Sequence, residues 1–293
     1  MSPARYGNTA GVAAVLSWGT LGVLGKFAQS ADPRLVLGLC FAIAALIGGV
    51  TCLVARRRLS PHVHKQTFLF AALLTAYHLI YFASFSYAPA LHVSLINFLW
   101  PALLILLGNL FFRLDSGWSG YSGAALGFAG VAVLMLGDAH TNFEAEAVVG
   151  YLMAFAGAVL WALFSNLRRT DQADPIASMT LICLISSALC LATASIDGGT
   201  LAVPSSEETV TIVLLGLGPA GGAFFLWDFG MKRGNAAALA IFGYSAPVIS
   251  TILMVLLGFG EPRWNVALAA LLIASGGAIV GLGDRHNSAR SLS

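Results

Sequence analysis

The chain has 293 residues, of which 58% are hydrophobic and only 10% are charged. Soluble domains carry about 25% charged residues, so these few charges cannot cover a water-soluble globule of this length. The net charge of +2 provides no basic field for nucleic acid. Composition therefore excludes a soluble enzyme, a disordered chain and a nucleic-acid binder, and it indicates an integral membrane protein embedded in the lipid bilayer.

A helix needs about 20 apolar residues to cross a bilayer, and ten segments of the chain meet that length. Turn-forming pairs such as Asp32-Pro33 and Asp174-Pro175 separate them. The sequence thus predicts an all-α integral membrane protein with ten transmembrane helices and no soluble domain. The predicted segments are 8–28, 34–54, 66–87, 91–112, 119–137, 148–167, 175–196, 209–230, 236–258 and 264–283.

Basic residues predict the orientation, because cytoplasmic loops are enriched in Lys and Arg. Twelve of the fifteen fall on one side of the predicted membrane, among them Arg56, Arg113 and Arg168. Both termini are therefore expected to be cytoplasmic. The four cysteines lie within predicted segments as small packing residues, and neither a metal site nor a cofactor is predicted.

The two halves of the chain resemble each other. A shift of 146 residues places Pro101 on Pro247, and near the start of each half a shift of 143 places Trp18 on Trp161. A unit of five segments is odd, so the second copy must enter the membrane from the opposite side. The pattern predicts two inverted five-helix repeats, an architecture typical of transporters that work by alternating access. The predicted repeats are residues 1–142 and 143–293.

Each half ends with a proline-centred segment, an acidic loop residue and a glycine-rich segment. These are Trp100-Pro101 with Asp115, and Ala246-Pro247 with Glu261. The pattern resembles the EamA type of the drug/metabolite transporter superfamily. The aromatic-rich third and fourth segments are similar to those of its bacterial inner-membrane aromatic amino-acid exporters. The resemblance implies export of aromatic and other neutral amino acids across the bacterial inner membrane.

Aromatic and polar side chains in the middle of the segments are the candidate binding groups, because polar groups are costly in lipid. Tyr77, Tyr81 and Phe85 share one helix face, and Asn97 and Trp100 lie on the next segment. Such a seam suits a flat aromatic or cationic solute, although the same spacing also fits plain packing between helices. The candidate substrate-binding residues are Tyr77, His78, Tyr81, Phe82, Asn97, Trp100, Pro101, Trp161 and Tyr244.

Two further features could serve motion and packing. Pro101 and Pro247, at equivalent interior positions, are predicted to kink their helices and to act as hinges or gates; a fixed kink is the alternative. The glycine-rich faces around Gly123 and Gly276 could pack against each other within one chain or form a dimer seam. The sequence leaves open whether the protein is a monomer or a homodimer.

Ionisable groups within the segments are few, and Asp228 is predicted to pair with Lys232 one turn later. Only His78 lies deep, so either facilitated movement or weak proton coupling through His78 is compatible with the sequence. Alternatives to an amino-acid exporter are an exporter of lipophilic cations, drugs or another metabolite. An intramembrane enzyme is the remote alternative, because no catalytic constellation accompanies His78.

Overall fold

The structure is a computed structural model, and it describes residues 3–27, 32–56, 65–136, 147–196, 204–259, 261 and 263–290. All regular secondary structure in these residues is helical. The helices are α1 (Pro3–Trp18), α2 (Leu21–Lys26), α3 (Pro33–Val54), α4 (Lys65–Ser84), α5 (Ala90–Asn97), α6 (Trp100–Phe111), α7 (Gly117–Leu136), α8 (Val148–Thr170), α9 (Pro175–Ile196), α10 (Ser206–Leu217), α11 (Gly222–Arg233), α12 (Ala236–Gly243), α13 (Ser245–Leu256) and α14 (Trp264–Arg290).

Seven stretches of the described chain are long and apolar enough to cross a membrane. They are Pro33–Val54, Lys65–Ser84, His92–Phe111, Val148–Thr170, Pro175–Ile196, Ser206–Arg233 and Ala236–Leu256. The apolar part of α14 is shorter. The protein is therefore a multi-pass, all-helical membrane protein.

The predicted turn-forming residues mark helix starts. Helix α3 begins at Pro33, and the Asp32 side chain caps it by accepting a hydrogen bond from the backbone N–H of Arg34 at 2.8 Å. Helix α9 begins at Pro175 in the same way, directly after Asp174. An aspartate accepts a free N–H of the first turn and proline has none to offer, so the Asp-Pro pair fixes each boundary.

Four apolar stretches are interrupted by short turns. The interruptions are at residues 19–20, 98–99, 218–221 and 244. At 218–221 the freed backbone groups find partners nearby, since the Ala220 N–H donates to Leu215 O at 2.8 Å and the Ala223 N–H to Gly218 O at 2.9 Å. Such local pairing is what makes irregular backbone tolerable at membrane depth.

Pro101 and Pro247 follow two of these interruptions. Pro101 is the second residue of α6 and Pro247 the third of α13. In a first turn the missing proline N–H removes no helical hydrogen bond. The prolines therefore lie in the first turns of α6 and α13, directly after the two interruptions, and their role as hinges or gates stays a prediction.

The most extensive helix contacts join the two halves of the chain. They pair α3 with α9, α7 with α14, α1 with α11 and α4 with α8. A Cβ built on Gly123 of α7 would lie 2.9 Å from the carbonyl oxygen of Gly276 of α14. Only glycines allow the two backbones to come this close. The glycine-rich faces thus pack against each other within one chain.

Candidate functional site

A central cavity of about 740 Å³ is the candidate site. Its volume falls within the range of about 300–1,000 Å³ that is typical of small-molecule sites. The cavity reaches exposed residues at one end, which include Phe82, Phe259 and Glu261. We call that end the mouth. Apolar and aromatic side chains form most of the wall, with a few polar groups among them.

One wall comes from α4, where helical spacing stacks the aromatic side chains. The Tyr77 and Tyr81 rings are nearly parallel, with centroids 6.0 Å apart. The Nδ1 atom of His78 lies 2.8 Å from the carbonyl oxygen of Leu74, one turn earlier on α4. That contact fixes the orientation of the imidazole ring, whose plane meets the Phe224 ring edge-on at 5.5 Å.

Four tryptophans close the cavity at the end away from the mouth. They are Trp18, Trp100, Trp161 and Trp227, and they come from α1, α6, α8 and α11. Every pair of these rings lies between 5.1 and 6.5 Å apart by centroid. We call the four rings the tryptophan floor. Edge-to-face and stacked aromatic pairs prefer this range of separation, so the floor is a packed closure.

Two close contacts fix the position of the floor. The indole N–H of Trp227 donates to Ser165 Oγ at 3.0 Å, which ties α11 to α8. A Cβ built on Gly243 would lie 2.5 Å from Cη2 of Trp100. Glycine at position 243 therefore provides the space in which the Trp100 ring lies against α12.

Seven of the nine predicted binding residues line the cavity. They are Tyr77, His78, Tyr81, Phe82, Asn97, Trp100 and Trp161. The other two, Pro101 and Tyr244, do not line it, because their neighbours Trp100 and Gly243 occupy the cavity face. The Tyr244 ring is buried against α7, where a Cβ on Gly127 would lie 2.2 Å from its Cδ2.

The predicted set lacks Trp18, Phe224 and Trp227, which the structure places in or beside the site. The sequence repeat contains a signal for them. The shift of 146 residues carries His78 to Phe224 and Tyr81 to Trp227. Adding 146 to the number of a candidate residue in the first half thus predicts a site residue in the second half.

The polar groups of the cavity are few and well placed. Asn97 is buried, and its Oδ1 has no hydrogen-bond partner among the described residues. His78 and Ser94 also line the wall. A buried polar atom without a partner is costly, and the Oδ1 atom of Asn97 is such an unused acceptor. Among the described residues no group of His, Cys, Asp or Glu is arranged to hold a metal ion.

Charged residues gather below the tryptophan floor. Lys232 Nζ lies 3.3 Å from Asp228 Oδ2, which confirms the pair predicted from their spacing. Arg168 was expected just outside its segment, but α8 continues to Thr170 and buries it. Its guanidinium binds the same Asp228 carboxylate, with Nη2 2.9 Å from Oδ2. The closed end of the cavity therefore ends in a buried ion cluster.

A multi-pass membrane protein with a central cavity of this size has the architecture of a solute transporter. Residues 5–136 and 148–282 match the profile of the EamA-like transporter family. The chain belongs to the EamA-like transporter family, and it is a transporter rather than an enzyme.

Curated relatives and a solved structure resemble the whole chain. It is 34% identical over 280 residues to the aromatic amino acid exporter YddG of Ancylobacter novellus, across 93% of this chain and 96% of that protein. It is 23% identical to the aromatic amino acid exporter YddG of Escherichia coli K12 over 288 residues, across 94% and 97% of the two chains. A crystal structure matches it with a TM-score of 0.88 and 31% identity, across 96% and 98% of the two chains.

Proposed function

We propose that this protein is a secondary transporter that exports aromatic and other neutral amino acids by alternating access. The observation that carries the proposal is the wall of the central cavity. Tyr77, Trp100 and Trp161 present rings to it, while Asn97 and His78 add an amide and an imidazole. Aromatic pairs contribute about 0.5–1.5 kcal/mol beyond their buried area, so a ringed side chain would bind better than an aliphatic one of equal size.

The proposal includes ten transmembrane segments in two inverted repeats, residues 1–142 and 143–293. Exchanging the repeats turns the first segment into the sixth and the third into the eighth. The α1–α11 pair then becomes the α8–α4 pair, while the α3–α9 and α7–α14 pairs map onto themselves. These are the four most extensive helix pairs of the described chain, and this symmetry supports the repeat. The boundary between residues 142 and 143 lies outside the described residues.

The proposal also includes an orientation in the bacterial inner membrane. The basic residues Arg113, Arg168 and Lys232 lie at the end of the bundle below the tryptophan floor, whereas one acidic and one basic residue, Glu261 and Arg263, lie at the mouth. Cytoplasmic ends of membrane helices are rich in Lys and Arg. Both termini are then cytoplasmic, and the cavity of this structure opens outward. In this orientation the tryptophan floor closes the cavity toward the cytoplasm.

Flux in proteoliposomes tests the substrate. Purified protein is reconstituted, and uptake of tryptophan, phenylalanine, leucine and a lipophilic aromatic cation is followed with and without a pH gradient. We expect saturable flux of the two aromatic amino acids above that of leucine. Flux of the cation alone would favour a drug exporter, because indole faces also attract cations. Equal flux of leucine and tryptophan would contradict recognition by the rings.

Substitution of the rings tests the site. Trp100→Ala removes one ring contact of up to about 1.5 kcal/mol, which corresponds to roughly tenfold weaker tryptophan binding. His78→Ala should also weaken transport. Trp118→Ala is the matched control, since Trp118 is 85% exposed and does not line the cavity. Tryptophan flux that survives both cavity substitutions would mean that the solute binds elsewhere.

A further inference from the structure

A buried ion cluster lies directly below the tryptophan floor. Arg168 Nε lies 2.9 Å from Asp228 Oδ1, and Nη2 lies 2.9 Å from Oδ2, so the two side chains form a bidentate pair. Only 1% of the Arg168 side chain and 2% of the Asp228 side chain are exposed. Lys232 and Asp171 complete the group. We call these four residues the inner ion cluster.

The inner ion cluster joins helices that contribute to the floor and to the cavity walls. Arg168 belongs to α8 and Asp228 to α11, one residue after Trp227 of the floor. Arg168 Nη1 also donates to Ser178 Oγ of α9 at 2.9 Å, and its guanidinium lies 5.0 Å from the centre of the Phe70 ring of α4. One arginine therefore holds three other helices together at the closed end.

The equivalent positions at the mouth look different. The repeat shifts of 143 and 146 residues carry Arg168 to Gly25 and Asp228 to Phe82. A Cβ built on Gly25 meets no atom within 4 Å, and Phe82 is 39% exposed at the cavity wall. These two equivalent positions thus hold no ion pair at the mouth, whereas Arg168 and Asp228 are paired at the other end.

An ion pair is well suited to a contact between helices that must separate during transport. A buried ion pair adds little to stability compared with well-packed apolar side chains, so stability alone does not account for it. When the contact opens to water, however, both ions become hydrated, which offsets much of the lost attraction. An apolar contact of the same area gains nothing from water on opening. A bidentate pair is therefore suited to an interface that must open and close repeatedly.

We propose that the inner ion cluster is the cytoplasmic gate, whose Arg168–Asp228 pair holds the protein outward-open and separates when the cytoplasmic side opens. The proposal rests on the alternating access proposed above. Because the repeat-equivalent positions at the mouth, Gly25 and Phe82, cannot form such a pair, the outward-open state is favoured when no solute is bound. Asp228→Asn removes one charge of the pair and should shift the population toward the inward-open state.

Two cysteine reporters measure this shift without any substrate. Cys183 of α9 is fully buried and near enough to Arg168 and Asp228 to interact with both charges. Ser94→Cys places a second thiol on the cavity wall. The other three cysteines are replaced by alanine. A membrane-impermeant thiol reagent is then applied from either side of oriented vesicles, and the labelling rate of each reporter is recorded.

In the parent protein we expect fast labelling of the Ser94→Cys reporter from outside and slow labelling of Cys183 from both sides. Asp228→Asn should raise the labelling rate of Cys183 from the cytoplasmic side by about tenfold or more and lower that of the Ser94→Cys reporter. Arg168→Lys should shift both rates in the same directions but less, since lysine keeps the charge and loses the two-pronged geometry.

The Asp32–Arg34 pair provides the matched control. It is a close ion pair at 2.7 Å, but its side chains are 38% and 32% exposed. Asp32→Asn should leave both labelling rates unchanged, because exposed pairs contribute little. Unfolding would expose Cys183 without protecting the Ser94→Cys reporter, so opposite changes identify opening of the gate. If the Asp228→Asn protein does not fold, the two labelling rates of the Arg168→Lys protein test the gate instead.

The results separate this proposal from the proposed function. Unchanged rates in folded Asp228→Asn or Arg168→Lys protein would overturn the gate, even if aromatic amino acids are transported. Opposite changes in the two rates would support the gate, even if the transported solute proves to be something else.

Discussion

Two helix pairs that should be equivalent differ in this protein. The α1–α11 pair and the α8–α4 pair exchange places when the proposed repeats are exchanged, and both are among the most extensive contacts of the described chain. In the first pair both segments are interrupted, at residues 19–20 and 218–221. In the second pair α4 and α8 run without a break for 20 and 23 residues.

The difference follows from the residues at matching positions. Gly19 at the first interruption matches Ala162 of α8, and the stretch 218–222, which reads Gly-Pro-Ala-Gly-Gly, matches 72–76 of α4, which reads Ala-Leu-Leu-Thr-Ala. Glycine and proline disfavour a helix interior by about 1 and 3 kcal/mol relative to alanine. The interrupted pair therefore carries the residues that end helices, and the continuous pair carries residues that extend them.

The comparison teaches where the asymmetry of the cavity originates. Residues at or next to the interruptions line the cavity on its open side, including Leu21, Gly22, Pro219 and Ala220. Both pairs contribute to the closed end, where the continuous pair supplies Trp161 and Arg168 and the interrupted pair supplies Trp18, Trp227 and Asp228. Two halves with a common pattern thus form one open end and one closed end.

The largest expected effect comes from removing the glycine that the interrupted pair depends on. In Gly221→Ala the new Cβ would lie 2.0 Å from the carbonyl oxygen of Gly216, a backbone atom that cannot rotate away. We expect a loss of about 3 kcal/mol or more of stability, measured as a lower midpoint of thermal unfolding in detergent. Gly49→Ala is the control, because a Cβ there meets nothing within 4 Å. Equal midpoints for the two variants would contradict the close approach.

A smaller effect is expected where the two pairs touch. Ser165→Ala removes the acceptor of the Trp227 indole N–H, which is buried between α8 and α11. An unpaired buried donor should cost about 2 kcal/mol. The same unfolding measurement checks this, with Ser195→Ala, an exposed serine of α9, as the control. A midpoint as high as that of the control would indicate that the indole finds another acceptor.

The smallest effect tests whether one glycine can convert the continuous pair. Ala72 is an exposed residue of α4 at the position that matches Gly218. Ala72→Gly should cost about 1 kcal/mol and speed amide hydrogen exchange in the following turn without breaking the helix, because 73–76 still favour helix. Ala188→Gly in α9 is the control, and it should leave exchange in α4 unchanged. Unchanged exchange in Ala72→Gly would show that packing, rather than propensity, keeps α4 continuous.

Local chemistry in the sequence predicts the local parts of the fold. The starts of α3 and α9 and the Asp228–Lys232 pair depend on residues at most a few positions apart, and all three are confirmed. The partner of Arg168 lies 60 residues away, so its spacing carries no local signal.

The direction of Tyr244 could not be predicted for a related reason. The helix is interrupted at this very residue, so the helical period that relates Tyr244 to its neighbours does not apply across it. Its place beside Pro247, at the repeat counterpart of the fourth-segment site, assigned it to the cavity, whereas the structure buries it against Gly127. Seven of the nine candidate residues thus line the cavity, and the prediction fails where the chain departs from a regular helix.

The tryptophan floor also gives the molecule a natural optical signal. The chain has six tryptophans, and the two outside the floor, Trp118 and Trp264, are largely exposed. Indole rings as close as those of the floor exchange excitation energy, so their fluorescence depends on how the four rings are arranged. Quenchers confined to the lipid can silence the two outer tryptophans. The remaining emission then reports how the four rings of the floor are arranged, and the protein needs no attached dye.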